Sequence, residues 1–228
     1  VLVVLPMMTW QGRNPVDDDG DGVPNLLDLG MDARTGRVFA GGRLPEGFTE
    51  AEGPLLSFLA RNERYFDVTT DVALATGRGP RLAGHRGVLV PGDARWLPRE
   101  LQLELKEFVS KGGTLMLTGT DSLRREVALS AENVMTGPTT PSATNLFGSR
   151  LRTVVVEPTT VTNLEDDIQL FSGNVYGGTG VFAGFRGYEA TAALGDDEQL
   201  AANAVNADGD TVIVASRFGD GLVIRTGL

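Results

Sequence analysis

GVLVPGDARWLPRELQLELKEFVSKGGTLMLTGTDS, residues 87–122, has the pattern of a strand, a helix and a second strand in succession. The apolar runs Gly87–Val90 and Thr114–Leu117 are bounded by glycine or proline, which is typical of strands buried on both faces of a parallel sheet. The stretch therefore predicts an α/β fold. Five apolar side chains between the two runs recur at helical spacing and are expected to pack on the sheet: Leu97, Leu101, Leu105, Phe108 and Val109.

The composition narrows the range of functions. With 228 residues, of which 41% are hydrophobic, the chain can form one large α/β domain. A formal charge of -10 argues against binding to nucleic acid or to an anionic membrane, because both need fields of Lys and Arg. No apolar run approaches the roughly 20 residues that span a bilayer, so membrane insertion is not expected. The absence of cysteine excludes disulfides, thiolate zinc sites and a cysteine nucleophile.

Other stretches extend the α/β pattern toward both ends of the chain. Val1–Leu5 is a continuous apolar run that predicts a central strand, and Thr211–Phe218 with Leu222–Thr226 predicts a C-terminal β-hairpin. Asn163–Phe171 predicts a short helix, and the glycine-rich aromatic segment 175–187 suits strand edges or bends. Because the chain opens inside one apolar strand and stops just after another, we expect it to be a domain of a longer protein.

The acidic stretch DDDGDGVPNLLD, residues 17–28, fits the register of a calcium-binding loop. Carboxylates that alternate along a tightly turning backbone point to one centre, and Gly22 at the sixth position permits the turn. The alternative is a solvated acidic loop, in which the carboxylates repel one another. The register assigns six calcium ligands, with Val23 acting through its main-chain carbonyl: Asp17, Asp19, Asp21, Val23, Asn25 and Asp28.

This loop differs from a paired EF-hand. Its twelfth position is Asp28 instead of a bidentate glutamate, and Pro24 lacks the N–H through which paired loops exchange hydrogen bonds. The loop is thus similar to the solitary calcium loops of extracellular dockerin and thrombospondin type repeats. Extracellular modules bind calcium weakly, at about 10⁻⁴ to 10⁻³ M, which favours an extracytoplasmic location, either secreted or in the cell envelope. We expect Ca²⁺ to order the long connection after the first strand.

A ligand crevice is expected beyond the carboxyl ends of the parallel strands, where open α/β sheets bind their ligands. Two tryptophans at these ends suggest a platform for a carbohydrate or a peptide. The alternative is that the tryptophans cover the core and that the aspartates cap helices. The residues that follow the predicted strands and are candidates for this crevice are Trp10, Gln11, Asp93, Trp96, Thr120, Asp121 and Ser122.

Four segments carry a family resemblance: VLVVLPMMTWQGRNP (1–15), GVLVPGDARWLP (87–98), EFVSKGGTLMLTGTDS (107–122) and RFGDGLVIRTGL (217–228). Together they resemble the C-terminal region of the N,N-dimethylformamidase β-subunit-like family, in the class I glutamine amidotransferase-like superfamily. The resemblance implies a flavodoxin-like sheet and, in the amidase itself, an iron ion held by tyrosines and a glutamate. Here Arg13 stands where a tyrosine is expected, the stretch Gly92–Trp96 lacks the family's glutamate and tyrosine, and no amidotransferase cysteine follows Gly119.

The residues and the resemblance together predict an α/β fold of the flavodoxin-like, three-layer sandwich type. We expect a single class I glutamine amidotransferase-like domain over residues 1–228. Its sheet is expected to be mostly parallel, with a C-terminal β-hairpin and an EF-hand-like calcium loop, residues 17–28, inserted after the first strand.

Two functional hypotheses follow. The leading one is a non-catalytic or diverged amidotransferase-like domain with one structural calcium ion. It would bind a carbohydrate or a peptide as an accessory domain of a secreted or envelope protein. The second is an amidase-like hydrolase whose site lies at the carboxyl ends of the strands and uses Asp93, Asp121 or Ser122.

Overall fold

The computed structural model describes residues 1–172 and 180–228. Its helices are α1 (Met7–Gly12), α2 (Glu52–Arg61), α3 (Asp71–Ala75) and α4 (Arg99–Ser110), with 3-10 turns at Leu27–Leu29 and Ala40–Gly42. Its strands are β1 (Leu2–Leu5), β2 (Ala33–Arg34), β3 (Asp67–Thr70), β4 (Gly87–Val90), β5 (Trp96–Leu97), β6 (Thr114–Thr118), β7 (Arg125–Glu126), β8 (Ala128–Leu129), β9 (Val134–Thr136), β10 (Arg150–Leu151), β11 (Thr159–Asp166), β12 (Val181–Phe185), β13 (Thr191–Ala193), β14 (Glu198–Val205), β15 (Thr211–Phe218) and β16 (Gly221–Thr226).

The main sheet of the described residues is mixed. It has nine strands in the order β12-β11-β14-β15-β16-β6-β4-β1-β3. The strands from β3 to β16 pair in parallel, whereas those from β16 to β12 pair antiparallel. The expectation of a mostly parallel, flavodoxin-like sandwich is therefore wrong. The reason is that β14 and β11 extend the predicted C-terminal hairpin into a large antiparallel half.

The helices do not form two complete layers around this sheet. Met8 of α1 and Leu101 and Leu105 of α4 are buried in one core with Leu115 and Leu117 of β6. In α2, by contrast, Glu52 is the one buried residue. The three-layer expectation is wrong for this reason, because the opposite face of the sheet has no comparable helical cover in the described part of the chain. None of the helices seen there has the length and apolarity needed to cross a bilayer.

The central strand–helix–strand unit is confirmed. β4 and β6 pair in parallel, and α4 between them begins after Pro98, whose fixed φ suits the start of a helix. Leu101, Leu105 and Val109 are buried on its inner face. Leu97, which was expected on the same helix, lies instead in the short strand β5.

The C-terminal hairpin is also present, and its turn packs directly on the end of α4. The N–H of Asp220 donates to the carbonyl of Ser110 at 3.1 Å, and the N–H of Leu222 donates to that of Gly113 at 3.1 Å. A Cβ atom at Gly221 would lie 2.1 Å from the carbonyl oxygen of Val109. Glycine is thus required at position 221 for β16 to reach its place beside β6.

The sequence predicted a helix over residues 163–171 and strand edges or bends over residues 175–187, and the structure differs from the first of these predictions. The helix expected over Asn163–Phe171 is wrong, because Thr159–Asp166 forms strand β11 between β12 and β14. Within the glycine-rich segment 175–187, Val181–Phe185 forms strand β12, with Gly184 at a φ of 94°. The part of that segment up to residue 179 lies outside the described residues.

We expect Gly221→Ala to destabilise the fold by about 2 kcal/mol or more, because the added methyl would overlap main-chain atoms that cannot move independently. The matched control is Gly36→Ala, where a Cβ atom would meet nothing within 4 Å. Its free energy of unfolding should stay within about 0.5 to 1 kcal/mol of the wild type. Urea unfolding of the two variants measures both values, and equal losses would contradict the packing described for the hairpin turn.

Candidate functional site

A crevice of about 1110 Å³ lies on the face of the sheet opposite the core that contains α1 and α4. Its floor comes from adjacent strands, with Met116 and Thr118 from β6, Ile224 and Thr226 from β16, and Ile213 from β15. Ile224 is paired with Met116, and Thr226 with Thr118. Side chains two residues apart on a strand point to the same face, so this register produces a continuous and largely apolar floor.

Aromatic residues stand on both sides of that floor. Phe171 and Phe182 lie on one side, with their ring centroids 5.7 Å apart. The segment 39–52 and Trp10 form the other side. Trp10 is only 9% exposed and meets the edge of Phe48 at 5.7 Å, so it contributes to the wall and is not an open platform.

Glu52 brings a carboxyl group into this mainly apolar crevice. It is the first residue of α2, and its side chain lies against the main chain of Gly92. A Cβ atom at position 92 would come within 2.3 Å of the Glu52 Oε1 atom. Glu52 is 3% exposed, and its Oε2 atom is buried without a hydrogen-bond partner among residues 1–172 and 180–228. An unpaired, buried carboxyl oxygen is costly, so its presence in a crevice is a functional signal.

Burial raises the pKa of Glu52 from 4.5 to about 7. Hydrogen bonding from its own main chain and from Trp10 acts in the opposite direction. The nearby charge of Asp93 raises the pKa further. Near neutral pH, Glu52 therefore exists in both its protonated and its ionised form.

Two glycine turns bring Asp93 close to this group. Gly92 and Gly119 follow β4 and β6 and have φ values of 67° and 91°, which only glycine adopts readily. A Cβ atom at Gly119 would lie 2.7 Å from the main chain of Gly92. This close approach lets Asp93 accept hydrogen bonds from the N–H and the hydroxyl of Thr120, at 3.1 and 3.4 Å.

The structure separates the predicted crevice residues into two groups. Trp10 and Asp93 line the crevice. Trp96 is fully buried in the core, with the Arg125 guanidinium 5.1 Å from its ring centroid. Gln11 donates to the carbonyl of Arg37 at 2.9 Å. Thr120, Asp121 and Ser122 lie just beyond β6 but outside the crevice lining.

Asp121 belongs to a cluster of ion pairs. Its Oδ2 atom is 2.5 Å from Arg125 Nη2 and 3.6 Å from Arg95 Nε. Its main-chain N–H donates to Glu189 at 3.0 Å, and the fully buried Glu189 also pairs with Arg225 of β16. The Asp121 carboxylate is thus held by cations, which fits a role in joining the two halves of the sheet.

In the acidic loop, three of the predicted calcium ligands lie together. One carboxylate oxygen from each of Asp17, Asp19 and Asp21 lies within 4.8 Å of the others. Oxygens on opposite sides of one Ca²⁺ are separated by about 4.8 Å, so this spacing fits a single ion. The N–H groups of Gly22 and Gly20 donate to Asp17 at 2.8 and 2.6 Å and lower its pKa.

The other three assigned ligands make different contacts. The side-chain oxygen of Asn25 accepts from the N–H of Asp18 at 2.5 Å. The N–H of Val23 donates to Asp21 at 2.7 Å. Asp28 pairs with Arg125 at 2.9 Å and with Arg95 at 3.3 Å. The triad therefore lies at one end of the loop, while Asp28 contacts the ends of the sheet strands.

The long connection containing this loop is ordered by protein side chains. Arg37, whose side chain is 4% exposed, donates to the carbonyls of Val16 and Asn25 at 3.1 and 3.2 Å. Asn14 donates to the carbonyl of Val38 at 3.2 Å and accepts from the N–H of Ala40 at 3.0 Å. These contacts hold the base of the connection and leave residues 17–23 as its exposed tip.

Comparison with known proteins defines the fold and no family. No family model and no curated protein matches the chain. The exo-β-1,4-mannosidase Op5Man5 from Opitutaceae bacterium strain TAV5 aligns over 100% of this chain and 31% of its own, with 11% identity and a TM-score of 0.52. Gan42B, a GH42 β-galactosidase from G. stearothermophilus, aligns over 99% of this chain and 27% of its own, with 14% identity and a TM-score of 0.51.

A third similar structure is the cold-adapted β-galactosidase from Rahnella sp. R3, which aligns over 74% of this chain and 23% of its own, with 13% identity and a TM-score of 0.51. The chain thus spans less than a third of each of these proteins. At such low identity the similarity establishes a shared α/β fold.

Glu52 is the site residue that sequence reasoning missed. Its spacing from Thr49 fits a capping box, which gives an acidic residue an ordinary role at a helix start. In the structure Thr49 instead donates to Glu50 at 2.8 Å, and α2 has no side-chain cap. The sequence signal that points to the crevice is Gly92, because the missing Cβ atom makes room for the Glu52 carboxyl.

We expect Glu52→Gln to be more stable than the wild type above pH 7 and close to it at pH 4. The folded protein keeps the Glu52 proton to a higher pH than the unfolded chain, so the wild type loses stability as the pH rises from 4.5 to about 7. Above pH 7, the free energy of unfolding of Glu52→Gln should exceed that of the wild type by a constant amount of about 1 to 3 kcal/mol, since one pKa unit corresponds to about 1.4 kcal/mol. Urea unfolding at a series of pH values measures it.

The control for this titration is Glu104→Gln, which removes an exposed carboxylate of α4 that does not act on Glu52. Asp71, whose pKa burial also raises to about 7, is present in every variant and cancels in the comparison. If the difference in the free energy of unfolding between Glu52→Gln and the wild type were the same at pH 4 and at pH 9, the Glu52 carboxyl would not be desolvated.

Proposed function

We propose that this chain is a class I glutamine amidotransferase-like domain that binds a carbohydrate or a peptide in its crevice and carries one structural calcium ion. The observation that supports ligand binding most directly is the open crevice itself. It has an apolar floor formed by β6, β15 and β16, aromatic walls and a small number of polar groups. Ligand sites commonly combine these features.

The contacts of the predicted catalytic candidates support binding without catalysis. Asp121 is held by Arg95 and Arg125, and the Ser122 hydroxyl donates to the carbonyl of Gly92 at 3.2 Å. A serine nucleophile needs a neighbouring base, and Ser122 has no such hydrogen bond in the described part of the protein. The amidotransferase cysteine is also missing from the sequence.

A carbohydrate is the first ligand class to test. Sugar rings present apolar faces that pack on aromatic side chains, and their hydroxyl groups bond to carboxylates such as Asp93. The similar structures include a β-galactosidase and an exo-β-1,4-mannosidase, which makes β-linked sugars a reasonable starting panel.

The calcium proposal rests on the loop register and on the spacing of Asp17, Asp19 and Asp21. Oxygen donors are the ligands that Ca²⁺ prefers, and the ion would offset repulsion among these exposed carboxylates. Because Arg37 and Asn14 already hold the base of the connection, the role proposed for the ion is to order its tip. A weak site of this kind suits an extracytoplasmic accessory domain attached to other domains.

An amidase-like hydrolase is the second candidate, and Glu52 is the observation that favours it. A buried carboxyl group that shares a crevice with Asp93 is a possible acid–base pair. Hydrolysis would then depend on Glu52 and Asp93 and not on Asp121 or Ser122. Analysis of binding mixtures for cleaved amides or shortened oligosaccharides tests this candidate, and intact ligands after long incubation would exclude it for the compounds used.

We expect Thr226→Phe to weaken ligand binding at least about tenfold, because the larger side chain would occupy the crevice floor. The probes are hexasaccharides of β-1,4-linked glucose, mannose, glucosamine and N-acetylglucosamine, together with hexapeptides, measured by calorimetry. Leu222→Phe is the matched control on the same face of β16 outside the crevice, and it should bind as the wild type does. Equal affinities in the two variants, or no binding by any probe, would overturn the proposed site.

We expect 10 mM Ca²⁺ to stabilise the wild type by about 1.4 to 2.7 kcal/mol if its Kd is roughly 0.1 to 1 mM. Melting in calcium and in excess chelator should then differ by about 3 to 10 °C. Asp21→Asn should remove most of this difference while keeping the oxygen that accepts from the Val23 N–H. Asp32→Asn, which changes an exposed acid outside the loop, should keep it. An unchanged melting temperature in calcium would refute the structural ion.

A further inference from the structure

The crevice holds more acidic groups than basic ones. The Arg13 guanidinium pairs with Glu46 at 3.1 Å, which satisfies one acid at the rim. Asp93 is directed toward Thr120, with Arg95 on its far side at 3.7 Å. The carboxyl groups that line the crevice are Glu46, Glu50, Glu52 and Asp93, and the guanidinium groups are Arg13 and Arg43.

Glu52 is the acid in this set that most needs a partner from a ligand. It is only 3% exposed, and its Oε2 atom accepts no hydrogen bond from the part of the chain that the structure describes. Asp93 adds a second negative charge close enough to act on Glu52. A cation placed beside Glu52 would interact favourably with both carboxyl groups, whereas a hydroxyl group would leave their repulsion in place.

The walls of the crevice also suit a cationic group. Phe39, Phe182 and Phe185 line it and are partly exposed, whereas Trp10 and Phe171 are largely buried behind them. Aromatic faces attract ammonium groups, and the attraction is stronger where water is excluded. A ligand that joins an apolar ring face to a protonated amine would therefore match both the walls and the unpaired acid.

We propose that the crevice selects ligands that carry a protonated primary amine, with Glu52 as its counter-ion. This inference rests on the proposed carbohydrate binding and narrows the ligand class to sugars with a free amino group. The amine would lie against the Glu52 carboxyl, between α2 and the turn at Gly92, while the sugar rings extend over the apolar floor.

Calorimetry at pH 6 with two matched probes tests the proposal: the hexamer of β-1,4-linked glucosamine and its fully N-acetylated, neutral counterpart. We expect the wild type to bind the amino form about 10 to 100 times more tightly, which is the effect of one charge-assisted hydrogen bond. Glu52→Gln should remove this preference and still bind the neutral hexamer. Glu104→Gln, which changes an exposed acid of α4 outside the crevice lining, should keep the preference.

A second readout is the proton count. Because the free Glu52 carboxyl is largely protonated at pH 6, binding of the amine should release a proton in the wild type and none in Glu52→Gln. Titrations in buffers with different ionisation enthalpies measure this release.

Each result separates the inference from the function on which it rests. Equal affinity for the two hexamers would overturn amine selection while leaving carbohydrate binding intact. A preference that persists in Glu52→Gln would also overturn it, because the attraction would then come from the net charge of the protein. If neither hexamer bound, both amine selection and the proposed carbohydrate binding would be refuted.

Discussion

Strand β16 makes the interaction on which the whole structure depends, because it is hydrogen-bonded in parallel to β6 and antiparallel to β15. One ladder therefore joins a parallel half to an antiparallel half. The two faces of β16 have different roles. Val223 belongs to the core under α4, and Ile224 lies on the crevice floor. A shift of register by one residue would exchange these faces and abolish both the core and the crevice.

Buried charge reinforces this junction. Arg225 of β16 is 3% exposed and pairs with the fully buried Glu189, which also accepts from the N–H of Asp121 beyond β6. Removal of one partner would leave the other charged and desolvated, which is far more costly than the net contribution of the pair. The junction is thus specified by geometry as well as by hydrophobic burial, and the position of the crevice follows from it.

Local pattern predicted the parallel half well and the antiparallel half poorly. The residues 87–122 contain their own apolar faces, helix start and glycine stop, so their structure could be inferred from nearby sequence. Strand β14 is rich in alanine, a strong helix former, and becomes a strand because β11 and β15 pair with its two edges. β15 follows β14 directly in the sequence, but β11 lies far upstream, with β12 and β13 in between, so its pairing with β14 leaves no local periodicity.

The same distinction explains the candidate sites. Asp17, Asp19 and Asp21 come together within one short turn, so their spacing along the chain was informative. Glu52 acquires its unusual environment only when Gly92 and Trp10 from other elements close around it. Trp96 is the opposite case. Its position after a strand suggested a ligand platform, but the tertiary fold buries it completely.

Asp28 connects the two regions and limits how the acidic loop can work. Its carboxylate is held by Arg95 and Arg125, whose guanidinium groups also lie near Asp121 at the end of β6. To act as the twelfth ligand of a calcium ion, it would have to leave two cations. That exchange would cost part of the binding energy gained from the ion. Under the proposed calcium site, Asp17, Asp19 and Asp21 would hold the ion without this exchange, water would complete its coordination, and the affinity would be low. The arginine contacts of Asp28 therefore favour a weak site at the tip of the loop over a closed cage of six protein ligands.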